Sequence, residues 1–136
     1  MIKIFSRIEP DKLLHLLLST NSNKGREQLV DSDQFLQVAT LRLKSGENFS
    51  AHKHLWKELA SNKSIAQESW VIIKGSVEVT FFDLDNSLLE THILKAGDLS
   101  VTLYGGHGYK VLEETIAVEF KSGPYLGQEL DKIYLK

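Results

Sequence analysis

Gly46-Glu47-Asn48-Phe49-Ser50-Ala51-His52-Lys53-His54 and Glu68-Ser69-Trp70-Val71-Ile72-Ile73-Lys74-Gly75 are the stretches on which the reading of this chain turns. In an extended strand, side chains two apart point the same way, about 6–7 Å apart along the backbone. His52 and His54 can therefore face one interior point while Lys53 faces out. Glu68 opens an apolar strand that ends at Gly75, so it has a rigid element beneath it, as a metal ligand requires. A third stretch, Gly97-Asp98-Leu99-Ser100-Val101-Thr102-Leu103-Tyr104-Gly105-Gly106-His107-Gly108, adds His107 within an unusually flexible glycine-rich backbone. Three imidazoles and one carboxylate, brought together at strand ends, are enough to hold one divalent metal.

Working outward, the chain punctuates itself as a series of short strands. Phe35–Lys44 alternates, with Leu41 and Leu43 on one face and Thr40, Arg42 and Lys44 on the other. Strands are also expected over Phe49–His54, Ser69–Lys74 (with Val71 and Ile73 or their neighbours buried), Val77–Leu84, Leu88–Leu94, Leu99–Leu103, Tyr109–Leu112 and Thr115–Lys121. Asp83-Leu84-Asp85-Asn86-Ser87 reads as a hairpin turn. Many short strands with turn signals between them predict an all-β sandwich or barrel, and antiparallel jelly rolls are one solution. Before the barrel, Met1–Phe5 is β-prone. Pro10 and Asp11 suit the first turn of a short N-terminal helix over Lys12–Leu18, followed by a loop at Ser19–Gly25. Leu55–Gln67 reads as a mobile loop or one helical turn at the site mouth. Tyr125–Lys136 reads as a tail packed through Leu126, Leu130, Ile133 and Tyr134.

These motifs resemble those of the cupins, whose first motif is G-x5-H-x-H-x3-4-E-x6-G and whose second is G-x5-P-x-G-x2-H-x3-N. Gly46, His52 and His54 match the first in register, and Glu68 to Gly75 matches its second half. Thirteen residues, Leu55–Gln67, stand where three or four are usual. In the second motif Gly97 and Gly105 are in register, Leu103 replaces the proline and His107 comes one residue early. Glu58 has the usual spacing behind His54, but Glu68 is preferred because it opens an apolar strand. The resemblance covers roughly residues 35–121. Gly105-Gly106-His107-Gly108-Tyr109 and Glu119-Phe120-Lys121-Ser122-Gly123-Pro124-Tyr125 also resemble small bacterial cupins associated with polysaccharide and sugar biosynthesis.

The resemblance implies an all-β fold: an antiparallel double-stranded β-helix, or jelly-roll barrel, here with a short N-terminal helix. One domain is expected over residues 1–136, with arm and helix at 1–20, barrel core at about 35–121 and tail at 122–136. It also implies a metal-dependent protein acting on a small molecule such as a sugar or sugar derivative, isomerase-, epimerase- or dioxygenase-like. The alternative is a non-catalytic ligand-binding or regulatory cupin. The metal ligands would be His52, His54, Glu68 and His107. Nitrogen and oxygen donors suit Fe, Mn, Ni, Zn or Co without selecting among them. Glu119 and Lys121, two apart on one strand, and Tyr104 are the candidate catalytic residues, with Tyr109, Arg42 and Thr40 as further candidates for the barrel lining. His15 and His92 match no motif. Cupins of this size are often dimers, and Met1–Phe5 could reach a second subunit.

Bulk properties narrow the classes. A net charge of −2 offers no general attraction to nucleic acid or to an anionic membrane. The absence of cysteine removes disulfides, thiolate metal sites and a cysteine nucleophile. The leucine-rich run at Leu13–Leu18 follows Glu9, Asp11 and Lys12 and has no small-residue cleavage site after it, so a cytoplasmic protein is expected.

Overall fold

The period-two alternation becomes two facing five-stranded antiparallel sheets in the computed structural model, which describes residues 2–17, 25–58 and 63–135. In chain order the elements are β1 (Ile2–Phe5), β2 (Leu13–Leu17), β3 (Arg26–Gln28), β4 (Leu36–Leu43), β5 (Asn48–His54), β6 (Trp56–Glu58) and β7 (Lys63–Ile65). Then follow β8 (Glu68–Lys74), β9 (Ser76–Phe82), β10 (Leu88–Lys95), β11 (Leu99–Thr102), β12 (Gly106–Val111), β13 (Thr115–Ser122), α1 (Gln128–Asp131) and β14 (Lys132–Tyr134). One sheet has the order β10-β9-β12-β5-β14 and the other β11-β8-β13-β4-β3. β1 with β2, and β6 with β7, form separate hairpins.

Each sheet turns one face inward, and the inward residues change character along the strands. At one end lie Leu41 and Leu43 of β4, Ile72 of β8, Val77 and Val79 of β9, Val111 of β12 and Ala117 of β13, all buried. Trp70 and Tyr109 stack at 4.1 Å across the middle, and Phe49 meets Trp70 edge-on at 5.0 Å. Continuing along the same faces, Trp70 is followed by Glu68, Tyr109 by His107, Ala117 by Glu119 and Lys121, and Ala39 by Gln37; these polar side chains are buried too. The apolar half fixes strand parity, because a slip of one residue would turn every core side chain to solvent. That parity then delivers the polar residues to the interior at the other end.

β5 is an exception to simple alternation, and it is the strand that carries His52 and His54. Tyr109 pairs with Phe49 and His107 with His52, so two steps on β12 oppose three on β5. This is a β-bulge, which re-aims side chains at the cost of one unpaired residue. It allows Phe49 to pack against the core and His52 and His54 to face inward as well, although 49 and 52 differ in parity. Gly108 lies against the bulge: a Cβ there would sit 3.0 Å from the Ala51 Cα. The glycines around His107 thus serve close strand approach within β12, not a flexible loop, with Gly105 supplying the left-handed turn (φ 80°) that leads in.

Three expectations need correction. Leu13–Leu17 is a strand, not a helix: Lys3 pairs with Leu16 and Ile4 with His15, while Ser6 Oγ accepts from the backbone N–H groups of Ile8 (3.1 Å) and Glu9 (2.9 Å) to close the turn through Pro10. A run of leucines lacks helical periodicity, and β1 supplies the backbone partners that make the strand. Leu18, and the expected loop at Ser19–Gly25 apart from Gly25, lie outside the described residues. The one short helix among the described residues is α1, near the other terminus. Leu55–Gln67 contains the β6–β7 hairpin, with residues 59–62 outside the description. The segment after Gly123 is held by polar contacts: Leu126, Leu130, Ile133 and Tyr134 are exposed, and the fully buried residue is Asp131. β14 adds a strand to the edge of β5, pairing Lys132 with His54 and Tyr134 with His52.

Candidate metal centre

β5 presents His52 and His54, β8 presents Glu68 and β12 presents His107, and all four are buried. One ligand atom from each lies within 4.8 Å of every other. Glu68 sits at the centre of the group, with Oε1 3.3 Å from His107 Nε2 and Oε2 3.3 Å from His54 Nε2. The His52 ring lies 4.6 Å from that of His107, centre to centre, and 5.4 Å from that of His54. Glu68 Oε1 also accepts the indole N–H of Trp70 at 3.1 Å, so a core residue braces the carboxylate.

The donor set fits a divalent metal. His52 Nε2 and His107 Nδ1 are buried without a hydrogen-bond partner, and the Nε2 atoms of His54 and His107 face the Glu68 carboxylate at 3.3 Å without making a hydrogen bond to it; buried polar atoms left in this way are rare in folded proteins. His52 donates its Nδ1 proton to the Ser50 carbonyl at 2.9 Å, which leaves the Nε2 lone pair toward the cluster. Burial, followed by the neighbouring His107, pushes the His52 imidazole down to about 4, so it is neutral and able to ligate at ordinary pH. Burial opposes charge on Glu68 as well, but the His107 and His54 imidazoles outweigh it and hold the carboxyl well below its usual range. Burial likewise disfavours a charged His54, and the carboxylates of Asp131 and Glu68 more than compensate, raising it.

A cavity of about 400 Å³ opens beside the cluster. His52 and Glu68 form part of its wall, with Phe49, Trp70 and Tyr109 as apolar floor and Arg26, Glu119, Lys121 and Lys132 as charged lining. Arg26 grips Glu119 with both guanidinium arms, at 2.7 and 2.5 Å, and that carboxylate keeps the guanidinium firmly charged. Lys121 donates to Asp131 at 2.9 Å and lies 4.8 Å over the Tyr125 ring.

Of the other expected residues, Glu119 and Lys121 reach the cavity, and Tyr104 does not: it is 59% exposed and lies 6.4 Å from Trp56 on the outer surface. Tyr109 is buried under Trp70 with its hydroxyl on Ser100 (2.9 Å), and Arg42 pairs with Glu114 (3.1 Å) on the outside. Thr40 is buried with no hydrogen-bond partner for its hydroxyl. His15 is exposed, and His92 is exposed beside Glu90. Glu58 is exposed and pairs with Lys63 at 3.4 Å, and it is not among the four clustered residues.

Sequence reading missed Arg26, Lys57, Asp131 and Lys132. Arg26 meets Glu119 across 93 residues of chain, a pairing with no local signal. Lys57 lies in a charged segment and Asp131 in a polar one, both of which read as solvated. In the structure the two are buried and hydrogen-bonded to each other.

No family model matches the chain. It is 30% identical over 105 residues to a mannose-1-phosphate guanylyltransferase of Sinorhizobium fredii, a match covering 77% of this chain but only 18% of that protein. Among solved structures it resembles a Klebsiella pneumoniae protein described by its double-stranded β-helix domain (TM-score 0.60, 18% identity, 93% of this chain and 95% of that one). It also resembles KdgF from a Halomonas species (TM-score 0.55, 18% identity, 71% and 77%). Oxalate decarboxylase of Bacillus subtilis matches too (TM-score 0.56, 23% identity, 76% of this chain and 24% of that one). The likenesses to solved structures establish the fold as a double-stranded β-helix. No described helix is long and apolar enough to cross a membrane.

Proposed function

We propose that this cupin-fold chain holds one divalent transition metal through His52, His54, Glu68 and His107, and presents it to a small polar molecule in the adjoining cavity. The observation that carries this reading is the convergence of four buried donors, three of them imidazoles with unpartnered nitrogens. The oxalate decarboxylase relative carries Mn(II) centres, which places manganese among the ions to test first. When bound, the metal would polarise a ligand oxygen or lower the pKa of a bound water.

A sugar or sugar phosphate is the ligand class we favour. The relative named for mannose-1-phosphate supports it, as does a cavity wall that presents Lys121 and Lys132. Lysine ammonium groups suit a phosphate or carboxylate, and the half-buried Phe49 adds an apolar surface to the cavity wall. In an isomerase-like reaction Glu119 and Lys121 would contact the reacting end of the ligand. Both enter that role from existing ion pairs, with Arg26 and Asp131. This observation favours the second reading, a cupin that binds its ligand without changing it.

The two readings separate in one experiment. Metal-loaded protein is incubated with mannose-1-phosphate and other sugar phosphates and followed by NMR. Chemical change that disappears in His52→Ala supports the enzyme. Saturable binding with unchanged ligand supports the binding protein, and no interaction with any of them removes the sugar-phosphate assignment. A cytoplasmic homodimer belongs to the same proposal; a sedimentation run showing monomer at all working concentrations would remove the dimer.

A further inference from the structure

We infer that Asp131 is the positioning residue of the proposed metal centre: delivered by the C-terminal segment, it fixes His54 so that Nε2 faces the other ligands. The inference rests on the metal-binding reading above and concerns a residue outside the ligand set. Asp131 meets the far side of the His54 ring twice. Its carboxylate Oδ2 and its main-chain carbonyl each lie 3.3 Å from His54 Nδ1. A histidine that donates one ring N–H to a carboxylate keeps the other nitrogen as a lone-pair donor and becomes a more basic ligand.

The carboxylate itself is held by more than the histidine. The Lys57 ammonium donates to Oδ1 and, at 3.1 Å, to the Pro124 carbonyl, and Lys121 donates to Oδ2 at 2.9 Å. Asp131 is 0% exposed and the Lys57 side chain 2% exposed, so two cations and the imidazole edge surround a fully desolvated anion. β14 then pairs Lys132 with His54, and the Leu55 N–H donates to the Asp131 carbonyl at 2.8 Å, so the segment is also tied to the strand that carries the ligand. Lys121 lines the cavity as well, which places Asp131 between the ligand-facing wall and the metal-facing histidine.

The test uses Zn(II) alone, with affinity measured by competition against a chromophoric chelator in wild type, Asp131→Asn, Lys57→Met and the double variant. Asp131→Asn is expected to weaken Zn(II) binding about tenfold, the lower end for such partners because the main-chain carbonyl still accepts, whereas Lys57→Met stays within about threefold. Lys57→Met opens the same buried ion pair, so a purely structural role for Asp131 would make the two variants alike. If Asp131→Asn does not fold, the double variant, which leaves neither Lys57 nor Asp131 as an unpaired charge, carries the comparison. Histidine ¹⁵N spectra of zinc-loaded wild type should show His54 protonated at Nδ1 and bound through Nε2. Wild-type affinity in the folded Asp131 variants, or His54 bound through Nδ1, would overturn the inference. Should wild type take up no Zn(II), the metal-binding reading fails. The His54 tautomer in metal-free protein at alkaline pH then decides the Asp131 contact, with Nδ1–H supporting it and Nε2–H overturning it.

Discussion

His52 and His54 stand two residues apart on one strand, yet different parts of the chain hold them. His52 is oriented by its own strand, through the Ser50 carbonyl at the bulge. His54 is oriented by Asp131, 77 residues away in sequence, within a buried charge cluster. The first support is made of backbone and is as stable as the sheet. The second joins a main-chain carbonyl to a carboxylate set among ions removed from water, and the ionic part holds only while each charge keeps its partner. One pair of histidines thus couples the barrel to a segment that looks peripheral in sequence.

The sharpest way to break this contrast is to remove the ionic support. Asp131→Ala leaves Lys57 buried without its carboxylate, and breaking a buried pair in this way costs about 3–5 kcal/mol. The expected result is a large fall in the urea midpoint of unfolding. A loss no greater than that of a surface substitution would show that the cluster is not what holds the C-terminal segment. The backbone support is challenged next by Gly108→Ala. Its new Cβ meets Ala51 at the bulge, and overpacking of this kind costs about 1–3 kcal/mol. Weakened metal uptake should accompany the loss, because the strain falls on the strand that carries His52. Unaltered stability and uptake would mean that the bulge relaxes freely. The smallest effects belong to Glu58→Ala and Tyr104→Phe. Both residues are exposed and outside the cluster, so each should change stability by less than about 0.5 kcal/mol and leave metal uptake intact. Loss of metal in Glu58→Ala would reverse the choice between Glu58 and Glu68.

The same contrast explains what could be read in the sequence. The barrel strands and the four converging residues were legible because local pattern determines them. In β8 the buried pair is Trp70 and Ile72, the neighbours of the Val71 and Ile73 expected first, and it is this parity that carries Glu68 inward; Tyr109 and Val111 do the same for His107. The spacing of His52 and His54 needs only strand geometry. The helix expected over Lys12–Leu18 failed because a leucine run has no period of its own and takes its conformation from its partner, β1. Lys57 and Asp131 were silent for a related reason. Each is a charged residue in a charged or polar stretch, and only their meeting in three dimensions makes burial tolerable. Tyr104 was misplaced because β11 ends at Thr102 and the chain bends through residues 103–105, which leaves the side chain on the outer surface.

The most direct test of the central claim is the metal content of the purified protein, before and after reloading with Mn(II) or Zn(II), beside His52→Ala and Glu68→Ala. The account predicts close to one metal per chain in wild type and almost none in either variant, with both variants still folded. Wild-type protein that takes up no divalent ion, or variants that retain it in full, would contradict it.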